Sequence, residues 1–130
     1  MAKYLLDTNI LLWMANAPER LKPKVFDLLQ EEQNEIYVSV ASTWEITIKS
    51  SLGKLKLPIE SERFIPSIID KLKLKVLNIE LDHSMFVSRF EKHHQDPFDH
   101  MLVAQAIFEE MPIITSDAKL SKYAAKVILN

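Results

Sequence analysis

The sequence predicts an α/β fold in which a mostly parallel sheet is flanked by helices. Short β-prone runs alternate with helical patterns along the chain, and such alternation favours right-handed βαβ crossovers. The 130 residues are 48% hydrophobic and 26% charged, which is typical of a globular domain. Since no Gly/Ser linker or internal repeat divides the chain, we expect a single domain over residues 1–130.

Five short runs of aliphatic and β-branched residues predict the strands, at residues 4–6, 35–39, 75–79, 112–115 and 127–129. Helices are predicted at residues 9–16, 23–32, 40–52, 61–72, 82–93, 96–110 and 118–124. Pro18 and Pro23 mark a turn, and Pro23 is suited to the first position of the second helix. Gly53 is placed to end the third helix as a C-cap, whereas Pro66 makes the start of the fourth ambiguous.

The composition excludes several functional classes. Cysteine is absent, which excludes disulfide scaffolds, zinc ribbons and cysteine nucleophiles and agrees with a reducing compartment. Gly53 is the only glycine, so neither a P-loop nor a dinucleotide fingerprint is present. The longest apolar run, residues 10–15, is too short for a membrane span or a secretory signal. We therefore expect a mature cytoplasmic protein without membrane contact.

Two carboxylates directly follow predicted strands. Asp7 comes after the first strand and Asp117 after a late one, and sites in parallel sheets form at the carboxyl ends of the strands. Taken singly, each Asp is better explained as the N-cap of the next helix.

Glu45 lies where a helix is predicted to be apolar. On an ideal helix it shares a wedge of about 60° with Ala41, Ile48 and Leu52, and a buried carboxylate requires a partner or a metal. The alternative is an ion pair with Lys49 at i+4.

Asp99 repeats this pattern on a later helix. It aligns with Val103 and Ala106 on the predicted buried face. The local alternative is a first-turn acid, favoured by the helix dipole, that follows Asp96 as N-cap and Pro97 at the first helical position.

The four acidic residues are placed to converge on one pocket. Because like charges repel, such a pocket without a cation would have raised pKa values and reduced stability. A hard divalent cation resolves the repulsion, and all-oxygen ligation suits magnesium or manganese better than zinc. The net charge of −2, which at first argues against nucleic acid, then partly reflects a pocket that metal would neutralise.

The histidines offer a competing metal site, at His93, His94 and His100 around Asp96. Adjacent histidines point in different directions and complete no spacing typical of zinc. We interpret these side chains as solvated or as helix-end groups.

At these motifs the sequence resembles the PIN-domain ribonucleases, and among them the VapC-type toxins of toxin–antitoxin pairs. The matching segments are LLDTN at 5–9, STWEITIK at 42–49, LGKL at 52–55, DPFD at 96–99 and ITSD at 114–117. Each motif alone is weak, but their order and spacing cover essentially the whole chain and make the resemblance specific.

The resemblance implies a three-layer PIN-like fold with a five-stranded parallel sheet, and magnesium-dependent cleavage of single-stranded or looped RNA. It implies a catalytic quartet that also binds the metal, formed by Asp7, Glu45, Asp99 and Asp117. It further implies that Asp96 is an accessory acid and that Thr115 supplies a hydroxyl group near the metal. At His100 the sequence departs from the family, whose members usually carry Arg there, so a fixed cation becomes titratable. Lys49 and His100 are candidate substrate contacts.

The resemblance also implies a cognate antitoxin, inserting a peptide near the acidic pocket, and a homodimer. Trp13, Met14, Phe64 and Ile68 are candidates for those contacts, although core packing explains them more simply.

Two alternatives remain open. A receiver-type phosphotransfer domain is also small, doubly wound and magnesium-binding, but it requires paired acids after the first strand and an acceptor Asp after a middle strand. No Asp lies between Asp27 and Asp70, which makes this alternative weak. The other is a non-catalytic interaction module whose carboxylates serve only as caps and ion pairs.

Overall fold

Strands and helices alternate along the chain as the sequence predicts. The computed structural model describes residues 2–90, 96–123 and 125–130. Its strands are β1 (Lys3–Leu6), β2 (Glu35–Ser39), β3 (Lys75–Leu77), β4 (Ile113–Thr115) and β5 (Val127–Leu129). Its α-helices are α1 (Thr8–Asn16), α2 (Pro23–Gln30), α3 (Val40–Ser51), α4 (Ser61–Lys71), α5 (Leu81–Phe86) and α6 (Pro97–Phe108). Short 3₁₀ helices occupy Pro18–Arg20, Val87–Arg89 and Ala118–Lys122.

The five strands form one parallel sheet in the order β3-β2-β1-β4-β5. After β1 the chain adds β2 and β3 on one side, and β4 and β5 are then added on the other side of β1. In sheets of this kind the reversal opens a crevice at the carboxyl ends of the two strands where the direction changes. The fold thus directs attention to the ends of β1 and β4.

Both faces of the sheet are covered, which gives three layers. Consecutive side chains of a strand point to opposite faces, and Leu5 and Leu6 are both completely buried. Leu6 packs in a cluster with residues of α1, α3 and α4, such as Ile10 and Ile46. Leu5 packs in a second cluster with Leu102 of α6 and other residues. The predicted α/β class is therefore confirmed.

The four apolar residues considered above for partner contacts belong to the first cluster. Phe64 and Ile68 are buried in it, and Trp13 and Met14 pack against it while partly exposed. The guanidinium carbon of Arg20 lies 4.3 Å from the centre of the Trp13 ring. Core packing is thus their role within the chain.

Several predicted boundaries were wrong. The helix predicted over 82–93 ends at Phe86 and tightens into the 3₁₀ helix Val87–Arg89, where the rings of Phe86 and Phe90 contact each other at 5.7 Å. Residues 91–93 of that prediction, and His94 after it, lie outside the described residues.

Other elements are shorter than predicted. The helix predicted over 118–124 is a 3₁₀ helix ending at Lys122, and residue 124 lies outside the described residues. β3 ends at Leu77, and the next carbonyl, that of Asn78, accepts a hydrogen bond from Gln105 instead of continuing the ladder.

Proline and glycine act largely as predicted. Pro23 starts α2, and α4 runs through Pro66 on its exposed side. Gly53 follows the C-cap Leu52 with φ +72°, the left-handed backbone that glycine adopts without strain. In the described part of the chain, no helix is long and apolar enough to cross a membrane.

A buried polar contact ties the ends of β2 and β3 to α6. Gln105 is fully buried, accepts a hydrogen bond from the Ser39 hydroxyl and donates to Asn78 O at 3.2 Å. Ser39 in turn caps α3 by accepting from the Ala41 N–H at 2.9 Å. This network fixes α6 and α3 relative to the end of β2.

We expect Gln105→Leu to lower the free energy of unfolding by about 1–3 kcal/mol, because it leaves the buried Ser39 hydroxyl proton and the Asn78 carbonyl without their partner. Urea denaturation measures the change. Gln30→Leu on the exposed end of α2 is the matched control and should change stability by less than about 0.5 kcal/mol. Equal effects from both substitutions would contradict the structural role given to Gln105.

Candidate metal centre

Asp7 lies where β1 ends and α1 begins. It is only 6% exposed, and its Oδ1 accepts a hydrogen bond from the Thr8 N–H at 2.7 Å, which caps α1. Its other oxygen, Oδ2, accepts from the Thr115 hydroxyl at 2.6 Å. The capping role considered from sequence is therefore present, and it leaves one carboxylate oxygen directed to β4.

Thr115 connects the two carboxylates that follow the strands. Thr115 is fully buried at the end of β4. Its hydroxyl group donates a hydrogen bond to Asp7 and accepts one from the Asp117 N–H at 3.0 Å. Asp117 Oδ1 accepts from the Lys119 N–H at 2.9 Å and so caps the following 3₁₀ helix. One hydroxyl thus brings the segments after β1 and β4 together.

Glu45 is buried on the inner face of α3. The side chain accepts a hydrogen bond at Oε1 from the Thr8 hydroxyl, 2.7 Å away, and Lys49 Nζ contacts Oε2. The predicted alternative, an ion pair with Lys49, is therefore present, but it engages one oxygen and leaves the residue 7% exposed. Glu45 therefore contacts Thr8, the first residue of α1, which directly follows Asp7 in the sequence.

One part of the helical-face prediction was wrong. Leu52 was placed on the buried face of α3, yet it is 63% exposed. Leu52 is the C-cap of α3, and its N–H still donates to the Ile48 carbonyl at 3.1 Å, but its side chain lies at the exposed end of the helix. The buried residues of this helix are Ala41, Ser42, Glu45 and Ile46.

Asp99 occupies the first turn of α6 and is half-buried. Asp96 caps this helix by accepting from the Phe98 N–H at 2.9 Å, and Val103 and Ala106 are buried as predicted. The pKa of Asp99 is raised to about 7, first by burial and then by the negative charges of Asp7, Asp96, Glu45 and Asp117.

The same crowding acts on the other members of the group. Burial raises the pKa of Asp7 against the opposing hydrogen bonds from Thr115 and Thr8, and the charges of Glu45 and Asp117 raise it further. The pKa of the Lys49 ammonium is raised, first by its hydrogen bond to Glu45 and then by the charges of Asp96 and Asp99. These acidic residues therefore lie near enough for their charges to act on one another, and their role as metal ligands stays a prediction.

The donor set fits a hard cation, although the carboxylates are engaged in protein contacts. Among the residues described, no three carboxylate or imidazole groups stand close enough together to share one cation. The side chains that crowd here nevertheless offer only oxygen, which is the ligand type of magnesium and manganese. Among the described residues, Lys49 contacts one of these carboxylates, and a divalent cation bound here would offset the repulsion between the acidic groups.

Sequence reasoning gave no role to two hydroxyl groups of the site. Thr8 donates to Glu45, and its Oγ1 lies 3.0 Å from Ser42 Oγ. Their positions in the sequence could have indicated this role, since Thr8 directly follows Asp7 and Ser42 precedes Glu45 by one helical turn.

His100 lies beside two aromatic rings. Its ring centre is 6.0 Å from that of Tyr123 and 6.3 Å from that of Phe90. The pKa of Tyr123 is raised by burial and then by the charge of Asp99, so this aromatic group adjoins the acidic crevice. The role of His100 in substrate binding stays a prediction.

The fold and the crevice define an α/β domain with a carboxylate-rich site at the ends of its central strands. The family model of the PIN domain matches residues 4–126, and this chain belongs to that family. Ribonuclease VapC16 of Mycobacterium tuberculosis is 33% identical over 57 residues. That match spans 44% of this chain and 40% of the relative, so less than half of the relative's length is compared.

Solved structures share the fold over nearly the full length. The structure of VapBC2 from Rickettsia felis, bound to a DNA fragment of its promoter, superposes on this chain with a TM-score of 0.72. The two sequences are 15% identical, and the superposition covers 98% of each chain. VapBC-1 from nontypeable Haemophilus influenzae gives a TM-score of 0.69 at 18% identity, covering 98% of this chain and 97% of the other. The PIN-like fold predicted from the motifs is thus confirmed.

The raised pKa of Asp99 predicts a pH-dependent stability in the absence of divalent ions. In the unfolded chain this carboxyl group loses its proton near the ordinary pKa of an aspartate, 3.8, whereas in the folded chain it does so near about 7. The folded state therefore holds more protons between these values, and the free energy of unfolding falls as pH rises through this range. Above about pH 7 the loss is complete.

We expect Asp99→Asn to raise the melting temperature at about pH 8 in EDTA by about 3–5 °C, the shift that about 1 kcal/mol produces in a chain of this size. Near pH 4 the gain should vanish. Thermal denaturation followed by circular dichroism gives both values. Asp70→Asn on the exposed side of α4 is the control, and a gain for Asp99→Asn that does not depend on pH would contradict the assigned titration.

Proposed function

We propose that this protein is a magnesium-dependent endoribonuclease that acts in the cytoplasm as the toxin of a toxin–antitoxin pair. The observation that carries the proposal is that Asp7 and Asp117 follow neighbouring strands, joined through Thr115, and that Glu45 and Asp99 on two packed helices lie near enough for these charges to raise the pKa of Asp99. Membership of the PIN domain family and the partial match to a protein named Ribonuclease VapC16 support it.

In this proposal Asp7, Glu45, Asp99 and Asp117 hold one or two magnesium ions, for which manganese is a possible substitute. When bound, the metal lowers the pKa of a water molecule and offsets negative charge on the phosphate and on the leaving oxygen. The remaining residues of the site prepare the carboxylates for this task.

Thr115 and Thr8 orient two of these carboxylates. Each donates a hydroxyl hydrogen bond, to Asp7 and Glu45 respectively, and a hydrogen bond to the charged form of a carboxylate favours that form. Asp96 acts as the accessory acid by capping the helix that presents Asp99. Lys49 balances charge at Glu45 and, with His100, is a candidate contact for the substrate phosphate.

Water is the proposed nucleophile, so no side chain needs to form a covalent intermediate. Attack of water on phosphorus breaks the bond to the 3′ oxygen, and the products carry a 5′-phosphate and a 3′-hydroxyl. Products with a cyclic phosphate would instead require attack by the ribose 2′-hydroxyl and would contradict this mechanism.

We expect Asp7→Asn and Asp99→Asn each to lower RNA cleavage by more than the ~10–100-fold that loss of outer-shell support for a metal ligand costs. Both changes remove a carboxylate while keeping the shape of the side chain. Cleavage of unstructured RNA by the purified protein, free of any inhibitor and with magnesium varied, measures the effect.

Asp70→Asn, on the exposed side of α4, is the matched control and should cleave like the wild type. Magnesium should also raise the melting temperature of the wild type, because a ligand of the folded state stabilises it by RT ln(1 + [L]/Kd). If the wild type leaves RNA intact at every magnesium and manganese concentration and shows no thermal shift, the protein is a non-catalytic module. Because the chain belongs to the PIN domain family, the alternative of a receiver-type phosphotransfer domain no longer has support.

A cognate antitoxin and a homodimer complete the proposal. Solved relatives of the same fold are VapBC complexes, one of them described as bound to promoter DNA. We expect the purified chain to have twice the monomer mass at micromolar concentration, measured by light scattering, and to co-purify with a small co-expressed partner that inhibits cleavage. A monomeric mass would contradict the dimer, and full activity in the complex would contradict inhibition.

A further inference from the structure

An exposed aromatic pair lies beside the acidic crevice. Trp44 of α3 is 56% exposed, and its ring meets that of Phe98 of α6 edge to face, with centroids 5.3 Å apart and planes at 78°. An edge-to-face pair covers at most one face of each ring, so at least one face of the indole is left uncovered by Phe98.

The position of the pair follows from the residues next to it. Trp44 directly precedes Glu45 and Phe98 directly precedes Asp99, and α3 and α6 pack against each other. Because consecutive helical residues diverge by about 100°, Glu45 is buried while Trp44 remains at the surface. The aromatic pair therefore forms part of the rim around two of the proposed metal ligands.

This rim is held in place by the contacts that order the crevice. The Phe98 N–H donates to Asp96 Oδ1 at 2.9 Å, which fixes the first turn of α6 and with it the ring that supports Trp44. On α3, Glu45 is fixed by Thr8 and Lys49. Trp44 is thus a large flat side chain presented to solvent on rigid elements.

We propose that Trp44 is a stacking site for an unpaired base of the RNA substrate, next to the phosphodiester bond that is cut. This inference rests on the proposed function. Aromatic side chains bind single-stranded nucleic acid by stacking on bases of any sequence, whereas paired bases keep their faces inside the duplex. Lys49, whose ammonium contacts Glu45, provides a cation on the same helix for the neighbouring phosphate. The subsite would therefore select unpaired RNA with little sequence preference.

Binding is measured separately from cleavage. All variants carry Asp7→Asn, so that a labelled, unstructured oligoribonucleotide stays intact while fluorescence anisotropy gives its Kd. We expect Trp44→Ala to raise the Kd by about 5- to 150-fold, the range that loss of one base–aromatic stack produces. Trp44→Phe should stay near the parent, since it keeps a ring. Phe26→Ala removes an exposed aromatic ring from α2 and should leave the Kd unchanged.

A direct signal of stacking comes from the indole itself. The chain has two tryptophans, so Trp13→Phe leaves Trp44 as the only tryptophan, which is excited selectively at wavelengths that tyrosine does not absorb. Unstructured RNA should quench its fluorescence, while a strand of the same length with an abasic stretch should quench it little. Equal quenching by both strands would overturn the stacking assignment.

The outcomes separate this inference from the proposed function. If Trp44→Ala binds RNA as well as its parent while the wild type cleaves RNA with magnesium, stacking is wrong and the nuclease stands. If the wild type neither binds nor cleaves RNA, both are wrong. A change in molar mass for Trp44→Ala by light scattering, with unchanged affinity, would make the pair a protein contact and overturn the stacking role.

Discussion

The hydrogen bond from Thr115 to Asp7 is the contact on which the acidic crevice depends. It joins residues 108 positions apart in the chain and is set by the parallel pairing of Leu5 with Ile113 and Leu6 with Ile114. The Asp7 N–H continues this pairing by donating to the Ile114 carbonyl at 2.9 Å. Because the two strands are in register, the carboxylates that follow them cannot move apart without breaking the sheet.

Charge repulsion is the opposing constraint. The fold holds several carboxylates in a poorly hydrated crevice, and the raised pKa values of Asp7 and Asp99 express the resulting cost. Among the described residues, the hydroxyl groups of Thr8 and Thr115 and the ammonium group of Lys49 reduce this cost in part. The acidic crevice therefore lowers the stability of the folded chain. Groups with pKa values shifted in this way are typical of functional sites.

Local sequence patterns predicted the helices and strands well, because the residues that signal each element lie close together in the chain. Strand-forming runs and turn residues lie within a few positions of each other, and Pro23 and Gly53 act largely as expected. Boundaries failed where distant contacts decide them. Asn78 leaves the sheet with its carbonyl bonded to Gln105, 27 residues away. No local pattern carries that information.

The sequence by itself determined the order of the elements, the oxygen-only set of candidate ligands and the lack of thiols and of a glycine-rich phosphate loop. It also identified which carboxylates follow strands or fall on inner helix faces. Only the tertiary structure decided that Thr8 meets Glu45, that Thr115 links Asp7 to Asp117, and that Trp44 remains exposed against Phe98. These contacts join segments far apart in sequence, and their distances are fixed by strand register and helix packing, which composition and periodicity do not specify.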